Sequence, residues 1–164
     1  MVKKMDYAVK VVELLKEKNL TITTAESCTG GLIAKMITDV SGASGVFGCG
    51  IISYANEIKM SLLNVRKETL EKYGAVSEQT VREMADGAAA VSGADIAVAV
   101  SGIAGPLSDE TSKPVGLIYI AVKYNGKCTI KKLCNSFSEN IRENNRLSAA
   151  QEALGTVYSI LTAN

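Results

Sequence analysis

The chain has 164 residues and carries 18 basic against 17 acidic side chains, a formal net charge of +1. This balance provides no field that would attract a polyanion, so we expect neither nucleic acid nor a membrane surface as a partner. The chain also contains no histidine, which excludes a Ser-His-Asp triad and a Cys-His pair. A base for nucleophilic chemistry would have to be a lysine, a carboxylate or a tyrosine.

Length and composition indicate a protein with its own hydrophobic core. Apolar residues make up 47% of the chain, but no apolar run reaches the roughly 18 residues of a membrane span. Residues 1–6 lack the apolar stretch of a secretion signal, so we expect a cytoplasmic protein. The four cysteines form no C-x-x-C pair, which predicts free, mostly buried thiols and no metal site.

Apolar periodicity and turn residues predict alternating helices and strands along the chain. The predicted helices cover residues 5–18, 32–40, 67–73, 78–92 and 142–161, with a further helix starting at Glu57 behind an Asn56 cap. The predicted strands cover residues 20–24, 46–54, 95–101, 115–123 and 127–135, the last two joined by a type I′ turn at Asn125-Gly126. This order predicts an α/β fold: a three-layer α/β/α sandwich with a mixed, mostly parallel sheet of about five strands, in a single domain over residues 1–164.

The most reactive stretch follows the first predicted strand, where Ser27 and Cys28 precede Thr29, Gly30 and Gly31. A strand, a glycine turn and a helix N-terminus together provide free amides that can hold an anion or assist a nucleophile. An ordinary turn between a strand and a helix is the alternative interpretation. Ser27 needs a base to attack a carbonyl, and Cys28 is either a rival nucleophile or a packing residue.

Lys59 is the candidate base for Ser27. It lies in the first turn of a predicted helix, where desolvation and the helix dipole both lower the pKa of an amine. Tyr54 lies five residues earlier at a strand end, where it could relay a proton or orient Lys59. Taken singly, Lys59 also fits a solvated surface lysine and Tyr54 a wall of a pocket.

Two more groups could bind a substrate. The loop after the third predicted strand is rich in glycine, so its amides can approach an oxyanion or a phosphate closely. Arg142 and Arg146 lie one turn apart near the start of the last helix and could clamp a carboxylate or phosphate, unless they form a solvated helix face.

Five segments occur in an order that resembles a known family: residues 24–31, 54–59, 74–77, 101–106 and 113–116. With these motifs, nearly the whole chain resembles the C-terminal domain of the competence-damage-inducible protein CinA, the nicotinamide-nucleotide amidohydrolase family. The resemblance implies hydrolysis of nicotinamide mononucleotide to nicotinate mononucleotide and ammonia, without a metal or an organic cofactor. It implies Ser27 as nucleophile, Lys59 as base and Tyr54 as an assisting residue.

We therefore expect a small nucleotide as substrate and predict its contacts among Glu26, Cys28, Thr29, Gly30, Gly31, Asn56, Ser101, Gly102, Ile103, Ala104, Gly105, Arg142 and Arg146.

The sequence departs from many relatives at Asn140-Ile141-Arg142, where they have Gly-Asp-Arg, and at 107–112, which lacks extra glycines. Longer relatives also have an additional N-terminal domain, and we expect no counterpart of it in residues 1–164. A non-catalytic nucleotide-binding or interaction module, and an amidase of another small amide, are the alternative functions. We expect a homo-oligomer.

Overall fold

A five-stranded sheet runs through the centre of the protein, in a computed structural model that describes residues 6–163. Its strands are β1 (Ile22–Glu26), β2 (Phe47–Ile52), β3 (Ile96–Gly102), β4 (Leu117–Tyr124) and β5 (Lys127–Cys134). The α-helices are α1 (Tyr7–Lys18), α2 (Leu32–Thr38), α3 (Asn56–Leu63), α4 (Lys67–Tyr73), α5 (Glu78–Ser92) and α6 (Ile141–Thr162), with a 3₁₀ turn at Ala43–Gly45. Within residues 6–163, no helix is both long and apolar enough to cross a membrane.

The strand order places the loops after β1, β2 and β3 beside one another. The order is β2-β1-β3-β4-β5, with β1 parallel to both β2 and β3, and with β3–β4 and β4–β5 antiparallel. The predicted α/β/α sandwich with a mixed five-stranded sheet is confirmed. Glu26 at the end of β1 pairs with Ile52 on one side and with Val100 on the other. The three parallel strands therefore end at one edge, which is where α/β proteins bind ligands.

The two faces of the sheet carry side chains of different size. Ile96, Val98 and Val100 of β3 face a core shared with α1, α2 and α6, whereas Ala97 and Ala99 face α3 and α5. Small residues on the second face allow helices to lie close to the sheet. Gly87 of α5 touches α3 so closely that a Cβ there would lie 2.0 Å from the Leu63 carbonyl oxygen. This close packing holds α3, and with it Lys59, in a defined position.

The element boundaries differ from the prediction in a few places. β1 covers residues 22–26 instead of 20–24, because its central position lets it pair with two neighbours as far as Glu26. Asn56 does not cap α3: Ala55 holds the extended cap position, and Asn56 is the first helical residue and is exposed. The start of the helix predicted from residue 5 lies outside the described residues. The predicted type I′ turn is confirmed by positive φ at Asn125 (50°) and Gly126 (73°).

The cysteines are free, as predicted, but they are less buried than predicted. Cys28 is buried, Cys49 and Cys128 are half-buried, and Cys134 is exposed. Cys128 and Cys134 lie on β5, which is an edge strand of the sheet in residues 6–163 and consists of half-buried and exposed residues.

Candidate functional site

A cavity of about 270 Å³ opens where the loops after β1, β2 and β3 meet. Its walls come from these loops, from the segment before α5, from residues 107–109 and from the start of α6. The lining residues are Ser27, Cys28, Tyr54, Lys59, Ala75, Val76, Ser101, Gly102, Ile103, Ala104, Gly105, Leu107, Ser108, Asp109 and Arg142. The structure thus brings both candidate reactive residues, Ser27 and Lys59, into one cavity with the glycine-rich loop.

Ser27 and Lys59 form a hydrogen-bonded pair at the base of this cavity. The Lys59 Nζ lies 3.1 Å from the Ser27 Oγ, and it also donates to the carbonyl oxygens of Ser53 (2.7 Å) and Tyr54 (3.3 Å). Lys59 is 1% exposed, although it lies only one turn into α3. Burial lowers the pKa of Lys59 from 10.5 to about 8, since removal from water disfavours the ammonium form. Near physiological pH the neutral amine is therefore a larger fraction of Lys59 than of an exposed lysine.

The turn that carries Ser27 depends on two glycines. The Ser27 amide donates to the Val100 carbonyl (3.0 Å), and the Gly30 amide donates back to the Ser27 carbonyl (3.0 Å). Gly30 (φ 57°) and Gly31 (φ 99°) have left-handed backbone, which costs glycine little. The chain can therefore reverse between β1 and α2 within a few residues, leaving Ser27 at the tip of the strand.

Glu26 stabilises the helix behind this turn and is not among the residues that line the cavity. It is completely buried, and its carboxylate oxygens accept hydrogen bonds from the Ile33 amide (2.8 Å) and the Ala34 amide (3.1 Å). These are amides of the first turn of α2, which have no partner within the helix. Both carboxylate oxygens are thus bound to backbone amides of the protein, which gives Glu26 a structural role outside the cavity.

We expect Glu26→Gln to lower the free energy of unfolding by about 1–3 kcal/mol, since one amide of α2 would then face an NH₂ group instead of an acceptor. Urea unfolding followed by circular dichroism measures this change. Glu17→Gln, at an exposed site on α1, is the matched control and should leave the midpoint where it is. An unchanged midpoint in Glu26→Gln would contradict the assigned role.

Cys28 forms part of the cavity wall and is poorly suited to be the nucleophile. Burial raises the pKa of its thiol from 9.0 to about 12, because the thiolate would be largely removed from water. The thiolate is the reactive form of cysteine, so burial disfavours the form of Cys28 that could act as a nucleophile at neutral pH. Of the two neighbouring candidates, Ser27 has the base within hydrogen-bond distance.

Tyr54 and Arg142 form a bridge at the mouth of the cavity. The Arg142 Nη2 donates to the Tyr54 Oη (2.8 Å), and its Nη1 donates to the Gly105 carbonyl (2.9 Å). The Tyr54 side chain is 58% exposed, and it is the backbone carbonyl of Tyr54, not the phenol, that contacts Lys59.

Asn140, before α6, has left-handed backbone (φ 45°, ψ 42°), a conformation that asparagine tolerates better than most residues. It therefore supports a tight turn just before Arg142.

Arg146 binds the protein itself, and it does not line the cavity. Its Nε donates to the Cys28 carbonyl (3.1 Å) and its Nη2 to the Thr29 carbonyl (2.8 Å). Beside it, Asn145 is 1% exposed and donates from Nδ2 to the Ala104 carbonyl (2.9 Å). Asn145 was not predicted from the sequence, although it lies three residues after Arg142 and hence on the same side of α6.

The remaining predicted contacts divide into two groups. Ser101, Gly102, Ile103, Ala104 and Gly105 line the cavity, whereas Thr29, Gly30, Gly31 and Asn56 do not. Thr29 is a fully buried residue of the turn after β1, and Asn56 is exposed on α3. Over the range 6–163, no three cysteine, aspartate or glutamate side chains cluster as metal ligands would.

The fold and the site define an α/β protein with a buried serine–lysine pair at the carboxyl ends of its parallel strands. Residues 4–161 match the family model of the CinA C-terminal domain. The chain belongs to this family.

Relatives with the same domain include longer proteins. The chain is 55% identical over 123 residues to a CinA-like protein of Kosmotoga olearia, covering 75% of this chain and 30% of that protein. It is 49% identical over 144 residues to a CinA-like protein of Syntrophomonas wolfei, covering 88% of this chain and 34% of that protein. The chain thus spans about a third of the length of these curated relatives.

Solved structures support the fold over its whole extent. The competence damage-inducible protein A of Klebsiella pneumoniae is similar with a TM-score of 0.91 at 35% identity, covering 95% of each chain. The competence/damage inducible protein CihA of Agrobacterium tumefaciens is similar with a TM-score of 0.88 at 37% identity, covering 99% of each chain.

Proposed function

We propose that the protein is an amidohydrolase that deamidates nicotinamide mononucleotide by a serine–lysine mechanism. The observation that carries this proposal is the 3.1 Å contact between the Ser27 Oγ and the Nζ of a lysine that is 1% exposed. A buried lysine with a lowered pKa is the kind of base that a serine nucleophile needs when no histidine is present. The resemblance to nicotinamide-nucleotide amidohydrolases suggests the substrate.

The hydrogen bonds of Lys59 suit the neutral amine. The Lys59 Nζ has three oxygen partners: the Ser27 Oγ and the carbonyls of Ser53 and Tyr54. A neutral amine has two N–H donors and one lone pair, and its two donors can bind the two carbonyls. With both N–H groups used in this way, the lone pair is left for the Ser27 hydroxyl. Lys59 can then accept the Ser27 proton without first rearranging.

The reaction follows from this arrangement. The Ser27 Oγ attacks the carboxamide carbon while its proton moves to the Lys59 Nζ, giving a tetrahedral oxyanion. Collapse of this intermediate breaks the C–N bond, and Lys59 returns the proton to the departing nitrogen, which leaves as ammonia. Water then attacks the acyl ester on Ser27 with Lys59 as base. The products are the free carboxylate and regenerated Ser27.

The cavity walls suit a heteroaromatic ring with a charged substituent. Val76, Ile103 and Ala104 supply apolar surface near Ser27, and Arg142 supplies the cation at the mouth. We assign the phosphate contact to Arg142 instead of Arg146, because Arg142 lines the cavity and retains N–H groups beyond the two that bind protein. Tyr54 would assist by holding Arg142 in place.

Purified protein is expected to release one ammonia for each nicotinamide mononucleotide consumed, because the serine–lysine pair lies within one cavity with a phosphate-binding arginine. Coupled ammonia detection and chromatography of the nicotinate product measure this reaction. Tight binding of the mononucleotide without ammonia release would refute the proposal and favour the non-catalytic nucleotide-binding module.

A second candidate substrate is another small amide. Leu107, Ser108 and Asp109 line the cavity, and all three are exposed. A competition assay with other pyridine nucleotides and simple amides tests this alternative. Faster turnover of a non-nucleotide amide would replace nicotinamide mononucleotide as the proposed substrate.

A further inference from the structure

The first two turns of α6 hold both loops that surround Ser27. Arg146 binds the carbonyls of Cys28 and Thr29 in the turn after β1. Asn145 binds the carbonyl of Ala104 in the loop after β3. Two consecutive residues of one helix thereby connect segments that lie more than 70 positions apart in the sequence. The relative position of these loops depends on α6.

These hydrogen bonds also orient the amides that follow each carbonyl. In a trans peptide unit the C=O and N–H groups point in opposite directions. When Arg146 holds the Cys28 carbonyl, the Thr29 N–H points away from α6, and when Asn145 holds the Ala104 carbonyl, the Gly105 N–H does the same. Over residues 6–163, neither of these two amides has a backbone hydrogen-bond acceptor. Cys28, Ala104 and Gly105 all line the cavity.

We infer that Asn145 and Arg146 are positioning residues, which aim the Thr29 and Gly105 amides at the oxyanion formed when Ser27 attacks a carbonyl. Preorganised amides that face developing charge are among the largest contributions to acyl transfer. The inference rests on Ser27 as the nucleophile of the proposed function, but it does not depend on which amide is the substrate.

Packing alone does not account for Asn145. The residue is 1% exposed, and among the described residues its Oδ1 has no hydrogen-bond partner. A buried acceptor without a partner lowers stability, so an apolar residue of similar size would suit a purely structural contact better. The donor from Nδ2 to the Ala104 carbonyl is the feature that only a polar side chain provides.

Acylation of Ser27 by p-nitrophenyl acetate tests this inference with a probe that is independent of the natural substrate. The Ser27 Oγ attacks the ester carbonyl, its proton passes to Lys59, and p-nitrophenolate leaves, so that the acetyl group remains on Ser27. We expect Asn145→Leu and Arg146→Lys to lower the acylation rate by roughly 10- to 100-fold, while KM and the pH midpoint set by Lys59 stay unchanged. Asn144→Ala is the matched control, since the Asn144 side chain donates to the nearby Glu139 carbonyl and does not line the cavity.

The kinetic pattern distinguishes a positioning role of Asn145 and Arg146 from a general disturbance of the structure by the substitutions. Equal acylation rates in wild type and both variants would overturn the inference, as would a rate loss accompanied by a matching rise in KM or a shifted pH midpoint. If Asn145→Leu does not fold, Arg146→Lys decides, because it keeps the charge but replaces the planar fork with a single ammonium.

Ammonia release from nicotinamide mononucleotide tests the proposed function, whereas acylation by p-nitrophenyl acetate tests the inference. Acylation that depends on Asn145 and Arg146, without ammonia release from nicotinamide mononucleotide, would support the inference and refute the proposed function. If the wild type releases ammonia and the acylation rates of Asn145→Leu and Arg146→Lys equal that of the wild type, only the inference is refuted. Absence of acylation in the wild type would overturn the inference and the role of Ser27 as nucleophile.

Discussion

Ser27→Ala is expected to lower the rate of ammonia release from nicotinamide mononucleotide by about 10⁴-fold or more, as the loss of a serine nucleophile does in other hydrolases. The Ser27 Oγ is the atom within 3.1 Å of the Lys59 Nζ, and alanine leaves no atom in its place. The measurement is kcat from coupled ammonia detection, with circular dichroism to verify that the variant is folded.

Cys28→Ala distinguishes the two neighbouring nucleophile candidates. We expect this variant to retain most of the activity, because burial raises the pKa of the Cys28 thiol to about 12 and keeps it protonated. Full activity in Ser27→Ala together with loss in Cys28→Ala would reverse the assignment and make Cys28 the nucleophile.

The pH dependence of the reaction should report the ionisation of Lys59. Its pKa of about 8 means that the neutral base is the minor form below that pH, so kcat/KM should rise about tenfold per pH unit up to pH 8 and then level off. Lys59→Met should lower kcat by roughly 10²- to 10⁴-fold and remove this dependence. A wild-type rate that falls as pH rises through 8 would show that Lys59 is not the base.

The same pKa predicts how stability changes with pH. Lys59 has a pKa of about 8 in the folded state against 10.5 when it is exposed to water, so the unfolded state binds more protons between these limits. Stability should therefore rise with pH in this window by about 1.4 kcal/mol per unit, and the contribution of Lys59 should be constant below pH 8.

Comparing variants isolates this contribution from other groups that titrate in the same range. Lys59→Met should lack the rise, whereas Lys67→Met, at an exposed site on α4, should keep it. Urea unfolding at several pH values between 7 and 10 gives both slopes. Parallel stability curves for wild type and Lys59→Met would contradict the lowered pKa.

Much of the fold followed from local patterns in the sequence. Most helices and strands were predicted within a few residues, because apolar periodicity and turn residues are local properties. Asn125-Gly126 gave the hairpin turn for the same reason. Errors occurred where neighbours in space decide the outcome: β1 extends to Glu26 because two strands pair with it, and Asn56 is helical because Ala55 takes the extended conformation of the cap.

The candidate site was predictable only in part. Because the chain has no histidine, the base for Ser27 had to be a lysine, a carboxylate or a tyrosine, and Lys59 was the candidate in a neighbouring loop. The sequence did not reveal that Glu26 binds α2, that Arg146 binds the Ser27 turn, or that Asn145 holds the Ala104 carbonyl. Each of these contacts uses a polar side chain that, from its residue type alone, could equally face a ligand.

The sequence by itself thus determined the elements, their order and the chemical types available: serine, lysine and arginine without histidine. The tertiary structure decided which of these side chains meet. Ser27 and Lys59 lie 32 positions apart and touch because parallel strands end at one edge of the sheet. The pKa of Lys59 is likewise a tertiary property, since it is lowered by burial, and burial depends on all the elements packed around the residue.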